Sequence, residues 1–136
     1  MTLLDTDVCI AIIRGHAGVL KRSETCGDSV GVASMTAAEL LYGAEKSSDP
    51  DSNRTVVERF LSSMPVYETD ENVVRTYGYV RAYLEKMGTP MSEPDLWIGA
   101  TALSKSIPLA TGNTRHFRRI FGLRLQNWFS DSTDNP

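Results

Sequence analysis

No stretch of this 136-residue chain is apolar for long enough to span a bilayer. Its opening, Met1-Thr2-Leu3-Leu4-Asp5, lacks the basic segment of a secretory leader. Cysteine is scarce: Cys9 and Cys26 make no disulfide framework, and Cys9 lies in an apolar helical stretch that suits a reduced core thiol. These absences argue against a membrane span or a disulfide-stapled secreted fold, and the cytoplasm is the expected location. Histidine is as scarce. His16 and His116 are far apart, no Cys or His spacing suits zinc, and each reads as a structural or surface group. There is no internal repeat and no linker. Acids are missing from one long stretch: none occurs between Leu96 and Ser130, which carries Lys105, Arg115, Arg118, Arg119 and Arg124. The net charge of −3 argues against a nucleic-acid binder, but this local basic run is compatible with a polyanionic substrate. It is equally compatible with a solvated surface.

What is present is an ordinary globule, 41% hydrophobic and 23% charged. One domain is expected over residues 1–129, with 130–136 as a flexible C-terminal tail. Leu3-Leu4 ending at Asp5 reads as a short buried strand, and Val8 to Arg14 as a helix closed by Gly15. Gly18 to Cys26 reads as a second helix and Val30 to Ala33 as a strand. Thr36 to Lys46 follows as a helix and Ser47 to Asn53 as a polar turn. Val56, Val57, Phe60, Leu61 and Met64 form the apolar stripe of the next helix, broken by Pro65. After a short strand at Val66-Tyr67, Val73, Tyr77, Val80 and Leu84 keep a helical spacing. Pro94 opens a helix over Asp95 to Lys105. Leu109 to Thr111 reads as a strand, Thr114 to Ile120 as a short helix and Leu123 to Leu125 as a last strand. Short apolar strands alternating with helices predict an α/β fold with a parallel sheet covered on both faces. Functional groups then belong at the carboxyl ends of the strands.

Three acids fall at such junctions. Asp5 ends the first strand, Glu39 lies just past the second and Asp95 opens a late helix. Each has a plain structural reading: Asp5 as an N-cap, Glu39 as the acid of a Thr36-Ala37-Ala38-Glu39 capping box, and Asp95 as a first-turn acid, with Glu93 as a possible cap. Asp7 suits a first turn and a supporting role. Together at one sheet edge, the three acids point to a divalent-metal site. Crowded carboxylates repel, and a hard cation removes that cost. Magnesium needs one or two direct carboxylates and keeps several waters. Its bound water attacks phosphorus more readily, and its charge offsets that on the phosphate.

The blocks around these acids carry a family likeness. Leu3-Leu4-Asp5-Thr6-Asp7, Thr36-Ala37-Ala38-Glu39-Leu40-Leu41-Tyr42-Gly43-Ala44-Glu45-Lys46-Ser47, Asp95-Leu96-Trp97-Ile98-Gly99-Ala100 and Thr111-Gly112-Asn113-Thr114-Arg115-His116-Phe117 occur in that order. The chain resembles PIN-domain toxins of the VapC type over almost its whole length. The resemblance implies a three-layer α/β/α domain with a central parallel sheet. It implies a magnesium- or manganese-dependent endoribonuclease, the toxin of a toxin–antitoxin pair. Homodimers bound by a VapB-like antitoxin and cleavage of initiator tRNA in the anticodon loop are further expectations. Asp5, Glu39 and Asp95 match the family's acids, with Asp5 and Asp95 as direct ligands and Glu39 acting through water. One departure stands out. Where a fourth acid is often found, this chain has Asn113, and His116 takes a place that is often acidic. Thr6, Thr111 and Thr114 are candidates to hold waters or phosphate, or are capping hydroxyls. Arg115, Arg118 and Arg119 are candidates for RNA phosphate contacts. Tyr42 and Trp97 are stacking platforms or, preferably, core or dimer contacts.

Two other readings remain. Asp5-Thr6-Asp7 resembles the nucleophile and acid of a haloacid-dehalogenase-like phosphatase, in which Asp5 carries the phosphoryl group and Lys105 is the available lysine. Lacking a fourth acid, the chain also fits a degraded domain that only binds a partner.

Overall fold

The computed structural model describes residues 1–130. Elements run in the order β1 (Thr2–Leu4), α1 (Thr6–Ile13), α2 (Ala17–Thr25), β2 (Val30–Ala33), α3 (Ser34–Glu45) and α4 (Pro50–Leu61). Then come β3 (Val66–Tyr67), α5 (Glu71–Lys86), α6 (Glu93–Lys105), β4 (Leu109–Ala110), α7 (Thr114–Phe117) and β5 (Leu125–Gln126). The five strands form one sheet in the order β3-β2-β1-β4-β5, and every neighbouring pair is parallel. This is the expected α/β architecture.

Adjacent strand residues point to opposite faces, so doublets of apolar residues feed two cores at once. Leu3 and Leu109 enter a cluster with Leu84, Leu96, Ile98, Phe117, Ile120 and Leu125. Leu4 and Ala110 enter the other, with Val8, Cys9, Val19, Leu40, Val57 and Trp128. The sheet is thus sandwiched between α5–α7 on one face and α1–α4 on the other. Cys9 is buried without a disulfide, and burial pushes its thiol well above the usual range. Among the described residues, no helix is long and apolar enough to cross a membrane.

Several ends differ from the sequence expectation. The stretch Ser47 to Asn53 is only half a turn, because Asp49 caps α4 by accepting from the Ser52 amide and Pro50 opens it. The last strand is Leu125-Gln126, with Leu125 opposite Leu109 and Gln126 opposite Ala110. Leu123 is as buried as a strand residue but belongs to the preceding turn, where Gly122 takes φ 86°. The last helix stops at Phe117, and Ile120 is fixed by a turn bond to the Phe117 carbonyl. Of the expected tail, residues 131–136 lie outside the described residues; the Ser130 carbonyl accepts from Arg22.

Candidate active site

The chain order reverses between β1 and β4: β2 and β3 lie on one side of β1, and β4 and β5 on the other. The carboxyl edge of such a switch point is where parallel sheets open a crevice. Asp5 sits there. Its amide donates to the Ala110 carbonyl at 2.9 Å, locking it to the end of β4. Its Oδ1 accepts from the Thr6 amide at 2.8 Å, and its Oδ2 from the Thr111 hydroxyl at 2.8 Å. Asp5 is therefore both an N-cap and a member of the crevice. It is 6% exposed. Burial, and then the Asp7 charge, push its carboxyl up to about 7; the Thr111 and Thr6 hydrogen bonds pull the other way, and Asp95 adds to the rise.

Asp7 belongs to the same cluster. Its Oδ2 accepts from the Gly112 amide at 2.9 Å. Its Oδ1 is buried with no hydrogen-bond partner among the described residues. Burial raises this carboxyl too, and Asp95 contributes to the rise. Gly112 is required for the approach, since a Cβ there would stand 2.9 Å from Asp7 Oδ2 and 2.7 Å from the Phe129 ring.

Glu39 reaches the crevice by a route the sequence pattern hides. The capping box at Thr36 does not form. The helix α3 begins at Ser34 with Ala33 as N-cap and no side-chain cap, so Thr36 lies inside the first turn and is fully buried. Glu39 instead accepts from the Thr6 hydroxyl at 2.7 Å, and that hydroxyl stands 3.1 Å from the Thr36 hydroxyl. Thr6, next to Asp5, thereby ties the second acid to the first.

Asp95 is in the first turn of α6, whose cap is Ser92 rather than Glu93. Glu93 is turned away, accepting from Tyr77 and Arg81. Asp95 Oδ2 lies 3.2 Å from His116 Nε2, and both side chains are about a quarter exposed. Asp5, Asp7 and Asp95 share one field, with Glu39 joined through Thr6. Among the described residues, no group of three or more His, Cys, Asp or Glu stands close enough together to hold a metal ion.

A PIN-domain profile matches residues 2–122. The tRNA(fMet)-specific endonuclease VapC of Shigella flexneri is 37% identical over 127 residues, 93% of this chain and 96% of that relative. The chain belongs to the VapC family of PIN-domain proteins. Ribonuclease VapC2 of Haemophilus influenzae is also 37% identical, with the same coverage. A DNA-bound VapBC structure from Salmonella typhimurium superposes with a TM-score of 0.88 at 36% identity, over 93% of this chain and 97% of that one. VapBC2 of Rickettsia felis, bound to a promoter DNA fragment, gives 0.87 at 29% identity, over 93% and 98%.

The other residues singled out in this VapC-family chain fall into two groups. Thr111 and Asn113 are at the crevice, with the Asn113 amide donating to the Thr111 hydroxyl at 2.9 Å. The side chain of Asn113 makes no cap bond. Thr114 is buried at the start of α7. Arg115, Arg118 and Arg119 are exposed on α7 and the turn after it. His16, by contrast, is structural, since its Nδ1 caps α2 by accepting from the Val19 amide at 3.1 Å. Trp97 stacks on Tyr77 with ring centres 3.8 Å apart, which occupies one of its faces. Tyr42 is 64% exposed and lies beneath Lys46, so it is not a core residue. Lys105 is ion-paired with Asp70 at the opposite end of α6 from Asp95, about 15 Å along the helix. It does not serve Asp5. Beside Glu39, a groove of about 510 Å³ runs between α1, α3 and α4, and its wall includes Thr6, Ile10, Ile13, Leu40, Val56 and Val57.

Two residues matter more than their sequence context suggested. His116 read as a surface group, and only the fold puts it against Asp95. Asp7 read as a helix-end acid, and only the fold supplies Gly112 and buries Oδ1.

Proposed function

We propose that this chain is the toxin of a VapBC-type toxin–antitoxin pair, a magnesium- or manganese-dependent endoribonuclease that hydrolyses an RNA phosphodiester bond. The observation that carries the metal reading is the buried, unpartnered Oδ1 of Asp7 beside the raised carboxyl of Asp5. Such carboxylates lack a counter-charge that a cation would provide. The acid donors are hard oxygens, the ligand type that magnesium and manganese take. The ribonuclease reading is supported by the names of the curated relatives.

When bound, magnesium or manganese supplies a more acidic water and offsets charge on the phosphate. Asp5 and Asp95 are the direct ligands in this reading. The Thr111 hydroxyl and Thr6 amide hold the Asp5 oxygens in fixed directions. Glu39, held by Thr6, orients the attacking water. Asp7 adds negative charge and supports the Asp5 end of the crevice. Asn113 is a neutral corner, and Arg115, Arg118 and Arg119 bind the flanking phosphates. Initiator tRNA, cut in the anticodon loop to stop translation, is the substrate of choice, as the name of the Shigella relative suggests.

The partner is a VapB-like antitoxin, supported by neighbours that are VapBC complexes. The groove beside Glu39 offers it an apolar wall, and an antitoxin arginine against the carboxylates would quench the site. The toxin itself acts as a homodimer. The phosphatase reading loses its lysine to Asp70.

Sequencing RNA ends after brief induction of the toxin in cells tests this function. A single new 5′ end in the anticodon loop of initiator tRNA is expected. No new RNA end in any transcript would overturn the proposal.

A further inference from the structure

We infer that His116 is a metal ligand of this site, giving it one nitrogen donor and shifting its preference from magnesium towards manganese. This rests on the metal-site reading above. The fold brings its Nε2 against Asp95, with the His116 side chain only 23% exposed. The residue sits in the first turn after β4, where its amide donates to the Asn113 carbonyl. Its ring lies edge-on to the buried Phe117, with centres 5.8 Å apart, which limits the directions it can take.

The decisive distance is 3.2 Å, between His116 Nε2 and Asp95 Oδ2. Two neighbouring ligands on an octahedral ion, each about 2.1 Å from it, stand about 3.0 Å apart. The two atoms, which here contact each other directly, are therefore also close to the spacing of two donors on a shared ion. Asn113 is not a comparable donor: its side chain is neutral and the residue is exposed. A nitrogen donor favours first-row transition ions over magnesium, and manganese is the member of that series that also suits carboxylate and water oxygens.

Pulsed electron paramagnetic resonance of the purified full chain loaded with Mn(II), in the absence of RNA, reads the ligand directly. Nitrogen modulation from a bound imidazole is expected in the wild-type spectrum and is lost in His116→Gln and His116→Glu. Calorimetric titration with Mn(II) and with Mg(II) should show the Mn-to-Mg affinity ratio falling roughly 10-fold or more in His116→Glu, the scale on which ligand-sphere changes act. Mn(II) bound in a manner that Asp95→Asn abolishes, but with no nitrogen modulation in the wild type, overturns the inference and leaves the metal-site reading standing. Failure of the wild type to bind either ion at millimolar concentration overturns both. The chain's other imidazole is His16, so nitrogen modulation that persists in folded His116→Gln and is lost in His16→Gln also overturns the inference.

Discussion

Replacing Asp5 by asparagine removes the most strongly raised carboxyl of the crevice, and its effect on stability has a definite sign. Folding raises this carboxyl from 3.8 to about 7, first through burial and then through Asp7. The folded chain therefore holds a proton that the unfolded chain has released, and stability falls as pH rises through the window from about 4 to 7. A rise of this size corresponds to roughly 4 kcal/mol of ionisation cost above pH 7, with the loss shared with Asp7 because the two carboxylates titrate together. Asparagine keeps an oxygen for the Thr6 amide but meets the Thr111 hydroxyl with a nitrogen, a mismatch of about 1 kcal/mol. Asp5→Asn should thus be about 3 kcal/mol more stable than wild type at pH 8 in a chelator, and no more stable at pH 4. Urea unfolding of both proteins across this range measures the difference, which cancels the other titrating groups. Saturating Mn(II) should stabilise the wild type and close the gap, because an ion that binds only the folded state adds its binding free energy. Equal stabilities at pH 8 would refute the electrostatic account of the crevice.

Three further outcomes follow from particular contacts. Thr6→Val keeps the shape but removes the donor to Glu39, so RNA cleavage should drop by about 10-fold or more while Thr6→Ser stays near wild type; unchanged cleavage in Thr6→Val would remove Thr6 from the site. Lys105→Ala breaks only the ion pair with Asp70, so it should cost less than about 1 kcal/mol in unfolding experiments and leave cleavage unchanged; lost cleavage would revive the phosphatase-like role for this lysine. Arg115→Ala with Arg119→Ala should weaken RNA binding across sequences and make the slope of log affinity against log salt shallower by roughly 1 to 2. An unchanged slope would place the RNA elsewhere.

The sheet was legible in the sequence because its central strands are buried on both faces. Doublets such as Leu3-Leu4 have no polar member and announce a strand covered from both sides. The strand ends were less legible. Leu123 and Leu125 are equally buried, and only pairing with β4 decides which belongs to the ladder. Asp5 and Asp95 were found at helix starts beside the sheet, and the fold keeps them there. Glu39 was found with a false local partner, since the Thr36-to-Glu39 spacing suits a capping box and the contact that forms, with Thr6, spans 33 positions. His116 was noted only as standing where an acid is often found; its contact with Asp95, like that of Asp7 with Gly112, joins residues far apart in the chain and left no local signal.

The most direct measurement is cleavage of purified initiator tRNA by the purified chain, with Mn(II), with Mg(II) and with EDTA, for wild type and Asp95→Asn. The metal-site account predicts a single cut with either ion, none in EDTA, and a loss of roughly 100-fold or more in Asp95→Asn at unchanged folding. Full cleavage in EDTA, or by Asp95→Asn, would contradict it.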